Sequence, residues 1–294
     1  EQCVFSENHA TPGNGGAIQN AGENLTITGC IISENTATSK GGGLYSSGKV
    51  SLSGTSVTDN TAGQDGGGIY VDNAHNNMVE FSGKVVVKDN STNSTGATDK
   101  GNLFVDHATR KAAIKKVGEL SGSEIHFGVS SYRYSDNEEN HVDETVLSGT
   151  EDCPAIASDV VYMYCDATSY AAYFDSADST IKIGSPALTI TFHANYSGST
   201  ETATQKVVQG KQTMLRPNTF KNPGMTFVEW NTAENGTGNP CEDQANITVT
   251  VGDKTLYAQW RERALDHITV EPTQTEYVVG TVLTAADFTV TKVY

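Results

Sequence analysis

The sequence predicts an all-β chain that opens with a parallel β-helix and continues into small β-modules. Two observations carry this. The first is composition: 29 glycines among abundant Ser, Thr, Asn and Asp, with 36% hydrophobic and only 18% charged residues, describe short strands joined by many turns. The second is an internal repeat. At 294 residues there is room for two or three domains.

Three coils follow one another: CVFSENHATPGNGGAIQNAGENLTITG, CIISENTATSKGGGLYSSGKVSLSG and TSVTDNTAGQDGGGIYVDNAHNNMVEFSG. A fourth begins KVVVKDNSTNSTGATDKGNLFV and drifts. Each coil carries an apolar-x-x-Asn strand: Phe5 to Asn8, Ile32 to Asn35, Val57 to Asn60, Val87 to Asn90. Each then carries a glycine pair before a second apolar strand: Gly15-Gly16, Gly42-Gly43 and Gly67-Gly68, weakened to Gly101. A third strand closes the coil with Leu25 and Ile27, Val50 and Leu52, or Val79 and Phe81. One such coil cannot bury its apolar side, but stacked coils can, with like residues above like.

The stacking assigns roles. Asn8, Asn35, Asn60 and Asn90 form a structural ladder at one turn, because Asn tolerates left-handed backbone and its amide bonds to amides above and below. The glycines permit backbone angles that other residues resist. Tyr45 and Tyr70 follow inward Leu44 and Ile69, at the position where the first coil has Ile18. They are expected outside, as a strip on which a ligand could stack. Cys3 and Cys30 occupy equivalent places and are expected inside as free thiols. A disulfide between Cys153 and Cys165 is one of two open readings; it would brace the irregular end of the stack. The count of five cysteines is odd and no CxxC occurs, so zinc and redox motifs are absent.

FSEN with GGAI resembles the FxxN and GGA(I/L/V) repeats of chlamydial polymorphic membrane proteins, and the β-helical repeats of gut-bacterial surface proteins. The resemblance covers residues 1–105 and implies a right-handed parallel β-helix. In the gut-bacterial proteins, segments like GELSGSEIHFGV (118–129) and YAAYFDSADSTIKIG (170–184) add a coil and close the domain, which carries it to residue 185. Beyond Pro186, TFHAN, FKNPGMTFVEWNT and DKTLYAQW resemble the Listeria–Bacteroides, internalin B-type, repeat. That implies a small β-grasp-like module over 186–262, with Phe192, Phe227, Trp230, Leu256, Tyr257 and Trp260 in or near its core. Residues 263–294, with ITVEPTQTEYVVGTVL and FTVTKVY, resemble the truncated start of a bacterial immunoglobulin-like β-sandwich.

A net charge of −16 disfavours nucleic acid as a partner. No stretch approaches the ~20 apolar residues of a membrane-spanning helix. No signal peptide opens the chain, so targeting and anchoring segments are expected outside it. Catalysis finds little footing. Asp59 and Asp65 share a turn but lack basic residues at the matching positions in both adjacent coils, where coil two has Glu34 and Lys40 and coil one Glu7 and Gly13, and the histidines show no ligand spacing. Glu7, Glu34 and Asp59 stack as a solvated or cation-binding edge, and weak Ca²⁺ binding at the Asp- and Asn-rich turns stays open. No cofactor or metal site is expected. These readings predict a non-catalytic extracellular adhesin or stalk fragment at a bacterial cell surface or cell wall, whose partners are a host glycan or protein or other cell-surface components. The alternative is an accessory or glycan-binding region of a large secreted carbohydrate-active enzyme.

Overall fold

The computed structural model describes residues 2–22, 24–73, 79–93, 101–107, 114–128, 143–167, 169–185, 187–263, 267–274, 276, 278–279 and 282–293. It is all-β and divides into two compact units. The first comprises 1–191, 204–217 and 244–254; the second comprises 192–203, 218–243 and 255–294.

The first unit is a parallel β-helix, and its repeats stack as their sequence dictates. Val4–Ser6, Ile31–Ser33, Ser56–Thr58, Val86–Lys88, Glu124–Phe127 and Met163–Cys165 pair in parallel. Their second apolar positions share one register: Phe5, Ile32, Val57, Val87, Ile125 and Met163. Leu25–Thr28, Val50–Ser53, Val79–Ser82 and Ile114–Lys116 make another column. Period-2 apolar positions put these side chains inside, so Ile32, Leu44, Val50, Val57, Val79 and Phe81 lose all contact with water.

Two details depart from expectation. Each of the early coils has an additional two-residue strand after the ladder Asn: His9–Ala10, Thr36–Ala37, Thr61–Ala62 and Ser91–Thr92. Two residues are too few to show periodicity in sequence. The second apolar column is also shifted by one. Ile18 pairs with Leu44, Ile69 and Leu103, so Tyr45 and Tyr70 stand over Gln19, not over Ile18. The cause lies in the glycines. Gly41 and Gly66 take the left-handed place of Gly15, with φ of 67° and 65° against 65°, so the strand starts one residue earlier than the GG motif suggests. The next glycine is required for a different reason. A Cβ on Gly16, Gly42 or Gly67 would lie 2.1, 2.2 or 2.1 Å from a carbonyl oxygen of the coil above.

The repeat ends by changing direction. Glu144–Ser148 follows Ile114–Lys116 in parallel, but Thr180–Gly184 returns antiparallel and pairs with Ala171–Asp175. The 170–184 segment therefore closes the stack, as a hairpin. The first compact unit also takes in 204–217 and 244–254. Gln212–Met214 pairs with Asn246–Thr248 within it, and Met214 packs on the helix core. Val208 packs with Ala171 and Tyr173, over Gly184, where a Cβ would come within 2.8 Å of it.

In the second unit, Met225–Asn231 pairs antiparallel with Lys254–Glu262 and with Pro240–Cys241. Trp230 is 1% exposed and meets Phe192, Phe220 and Phe227 at ring-centre distances of 4.8, 6.1 and 4.9 Å. Such aromatic packing supplies most of the core of a small module. Leu256 and Ala258 point into that core, so Tyr257 between them faces the other side of the strand. His267–Pro272 and Phe288–Val293 form a two-stranded antiparallel sheet.

Candidate functional site

The ladder is continuous. Asn8 Nδ2 donates to Asn35 Oδ1 (2.9 Å), Asn35 Nδ2 to Asn60 Oδ1 (2.8 Å), and Asn60 Nδ2 to Asn90 Oδ1 (2.9 Å). Each backbone N–H donates to the same oxygen at 3.0 Å. Asn60 Nδ2 also reaches the carbonyls of Thr58 and Ile32 at 2.8 and 2.9 Å, tying its own coil to its neighbour. Asn35 and Asn60 are completely buried. The residue before each ladder Asn sits in the left-handed region: Glu7, Glu34, Asp59 and Asp89 have φ of 56–58°. Glu7, Glu34 and Asp59 thus share one turn position, and Asp89 extends the column to the fourth coil.

Sequence reasoning missed the last rungs. The fifth strand of the column has Gly128 where an Asn would stand. Asn102, which follows Gly101 in the glycine turn, takes that rung and accepts from Asn90 Nδ2 at 3.1 Å. Asn102 Nδ2 then donates to Asp166 Oδ1 at 2.9 Å. Asp166 lies three residues after Met163, so an apolar-x-x-Asp variant of the motif was there to be read.

The interior changes chemistry at the same end. Lys116 stands in the column of Ile27, Leu52 and Phe81 and is 1% exposed. Its ammonium lies 3.1 Å from both carboxylate oxygens of Asp159 on the 3-10 turn Ala157–Tyr162. Asp159 also accepts from the Ile156 N–H at 2.9 Å. Burial raises the Asp159 carboxyl above its ordinary value, against the bonds from Ile156 and Lys116.

Tyr45 and Tyr70 do face away from the interior, but they are not an open strip. Tyr70 is 1% exposed. It is stacked between Tyr45 and Phe104, at 5.5 and 5.4 Å, in near-parallel planes. Lys40 Nζ covers its ring at 4.3 Å and its hydroxyl donates to Asp106. Tyr45 donates likewise to Asp72 on the next strand. Burial first, then the Asp106 bond, holds the Tyr70 phenol far above its usual value. The expected ligand-stacking role fails for Tyr70, since its faces are already used. A second stack, at the other end, joins His126 to Tyr164 at 4.6 Å, with the Arg216 guanidinium 3.4 Å over Tyr164.

The cysteines are free. Cys30 is buried as expected, whereas Cys3, on the outermost coil, is exposed. Cys153 is tied into a tight turn with Thr150, and Cys165 into a parallel strand against Phe127, so no bridge joins them. Burial pushes the Cys165 thiol well up.

The second unit carries a cleft of about 580 Å³ lined by His193, Asn195, Tyr196, Ser197, Gly198, Ser199, Glu201, Glu234 and Tyr257. His193 and Tyr257 stack at 5.1 Å. Among the described residues no group of three or more His, Cys, Asp or Glu could hold a metal ion. No helix among the described residues is long and apolar enough to cross a membrane.

Residues 2–21, 29–47 and 54–72 match the family model of the Chlamydia polymorphic membrane protein repeat, and residues 189–259 match that of the Listeria-Bacteroides repeat domain. No curated protein and no solved structure matches the chain. The chain thus joins a laddered β-helix of the first repeat type to a Trp-centred module of the second, a combination of surface-protein repeats that fits an extracellular or surface protein.

Proposed function

We propose that the chain is a non-catalytic adhesin or stalk segment of a bacterial surface protein. Its β-helix serves as a rigid scaffold, and the Listeria–Bacteroides module and the 267–293 hairpin act as spacers, the latter as the first strands of an immunoglobulin-like domain. The observation that carries this reading is the ladder. It is fully buried at Asn35 and Asn60 and bonded from Asn8 through Asp166, so the asparagines that recur along the sequence are used up in holding coils together. The recurring motif then describes a scaffold, with recognition left to the surface. A test couples the protein to inert beads and measures retention on host epithelial monolayers and mucin, against beads carrying an unrelated acidic protein. Retention without release of reducing sugar from plant, host or bacterial polysaccharides is the expected result. Turnover of any of them would overturn the non-catalytic reading, and absence of retention would overturn the adhesin.

A further inference from the structure

We propose that the second unit binds an uncharged saccharide in the cleft floored by His193 and Tyr257. The site is built from three separate stretches of chain. His193 ends the strand Ala187–His193, and Tyr257 lies on Lys254–Glu262. Glu234 comes from the turn after Met225–Asn231. The rim is held in place. Asn195, in left-handed backbone with φ of 52°, donates to the carbonyls of Glu234 and Ala258, both at 2.9 Å. Trp260 Nε1 donates to the Ala194 carbonyl at 2.7 Å, and Tyr196 packs edge-on against the Trp260 ring. The turn and the strand beside it are therefore fixed before any ligand arrives, which removes part of the ordering cost of binding.

The chemistry of the lining selects the ligand. The volume of about 580 Å³ falls within the roughly 300–1,000 Å³ of small-molecule sites. Aromatic groups offer apolar surface, while Glu201 and Glu234 offer acceptors for which hydroxyl groups are suitable donors, in charge-assisted bonds. No Lys or Arg lines the cleft, and the chain carries a net charge of −16, so an anionic glycan is repelled. A polyol with an apolar ring face and no negative charge matches all three features. Tyr257 is available because its strand turns Leu256 and Ala258 inward and Tyr257 away from the core.

The test titrates the whole chain with cellobiose, maltose, lactose, mannobiose and N,N′-diacetylchitobiose, following the His193 and Tyr257 resonances by NMR and affinity by calorimetry. At least one sugar is expected to shift both resonances. Tyr257→Ala should weaken that sugar about tenfold. Glu201→Gln and Glu234→Gln, at exposed positions that cannot unfold the module, should each weaken it several-fold, and Tyr45→Ala should leave it unchanged. Failure of every sugar to shift these resonances at 50 mM would overturn the proposal. So would binding that ignores the two glutamine variants, or preference for heparin over all neutral sugars.

Discussion

The early coils and the far end of the β-helix solve one problem with different means. In coils two and three, every interior place is filled by repetition: an aliphatic above an aliphatic, a glycine under a carbonyl, an Asn under an Asn. At the far end the same places are filled once each. Asn102 supplies a rung from another turn, Asp166 ends the ladder, and Lys116 with Asp159 replaces the apolar stack by an ion pair. A repeated solution shares its cost among neighbours. A single-use solution concentrates it, because the buried Lys116 charge rests mainly on Asp159, its one buried partner, with the exposed Glu119 farther off at 3.8 Å.

That difference is easiest to break at the ion pair. Asp159→Ala leaves the buried Lys116 ammonium with only the largely exposed Glu119 carboxylate, 3.8 Å away, and urea unfolding should show a loss of about 3–5 kcal/mol. Adding Lys116→Met to Asp159→Leu should recover most of it; a double variant as unstable as the single one would show that the pair has a role beyond mutual neutralisation. Next comes the regular stack. Ile32→Ala opens a cavity and should cost about 2–5 kcal/mol, and Tyr70→Ala, equally buried, should cost about 3 kcal/mol. The half-buried Tyr45→Ala should fall clearly below both in the same unfolding series.

The ladder comes third. Asn60→Ala leaves the Asn35 N–H and neighbouring carbonyls unpaired, for about 1–3 kcal/mol by thermal or urea unfolding. Asn102→Ala should cost as much if the substitute rung equals a regular one. The smallest effect is electrostatic. Burial works to raise the Glu124 carboxyl, but bonds from Lys88 (3.0 Å) and His126 hold it net below its ordinary value. A carboxyl depressed in the fold adds stability above its unfolded pKa and loses it as pH falls through the folded one. Glu124→Gln should therefore be less stable than the parent at pH 7, by under about 1 kcal/mol for so exposed a pair. The two should converge in melting scans as pH falls through the lowered value of the Glu124 carboxyl.

How far the sequence could be read follows the same division. The strand columns and the Asn8–Asn90 ladder were legible because a period of 25–30 residues repeats each position. The tyrosine register was misread by one place, since a run of three glycines can be aligned two ways and only the left-handed φ at Gly41 and Gly66 decides. Lys116 and Asp159 stand 43 residues apart with no repeat to link them. The cleft draws on three separate segments, each of which alone looks like an ordinary turn or core strand. Tyr257 was placed in or near the core by the resemblance of DKTLYAQW, and its alternation with Leu256 and Ala258 emerged only from burial.

The ladder also has a direction. Amide to amide, each Nδ2 from Asn8 to Asn102 donates to the side-chain oxygen of the next rung, and each Oδ1 from Asn35 on accepts from the rung before, whereas the carboxylate of Asp166 can only receive. Asp166 is thus a full stop in a one-way sentence. A coil duplicated anywhere upstream of it would find a donor below and an acceptor above, with matching glycines to slide under. Gene duplication could lengthen this protein coil by coil without rewriting its ending, whereas a coil added after Asp166 would meet a carboxylate with nothing to give.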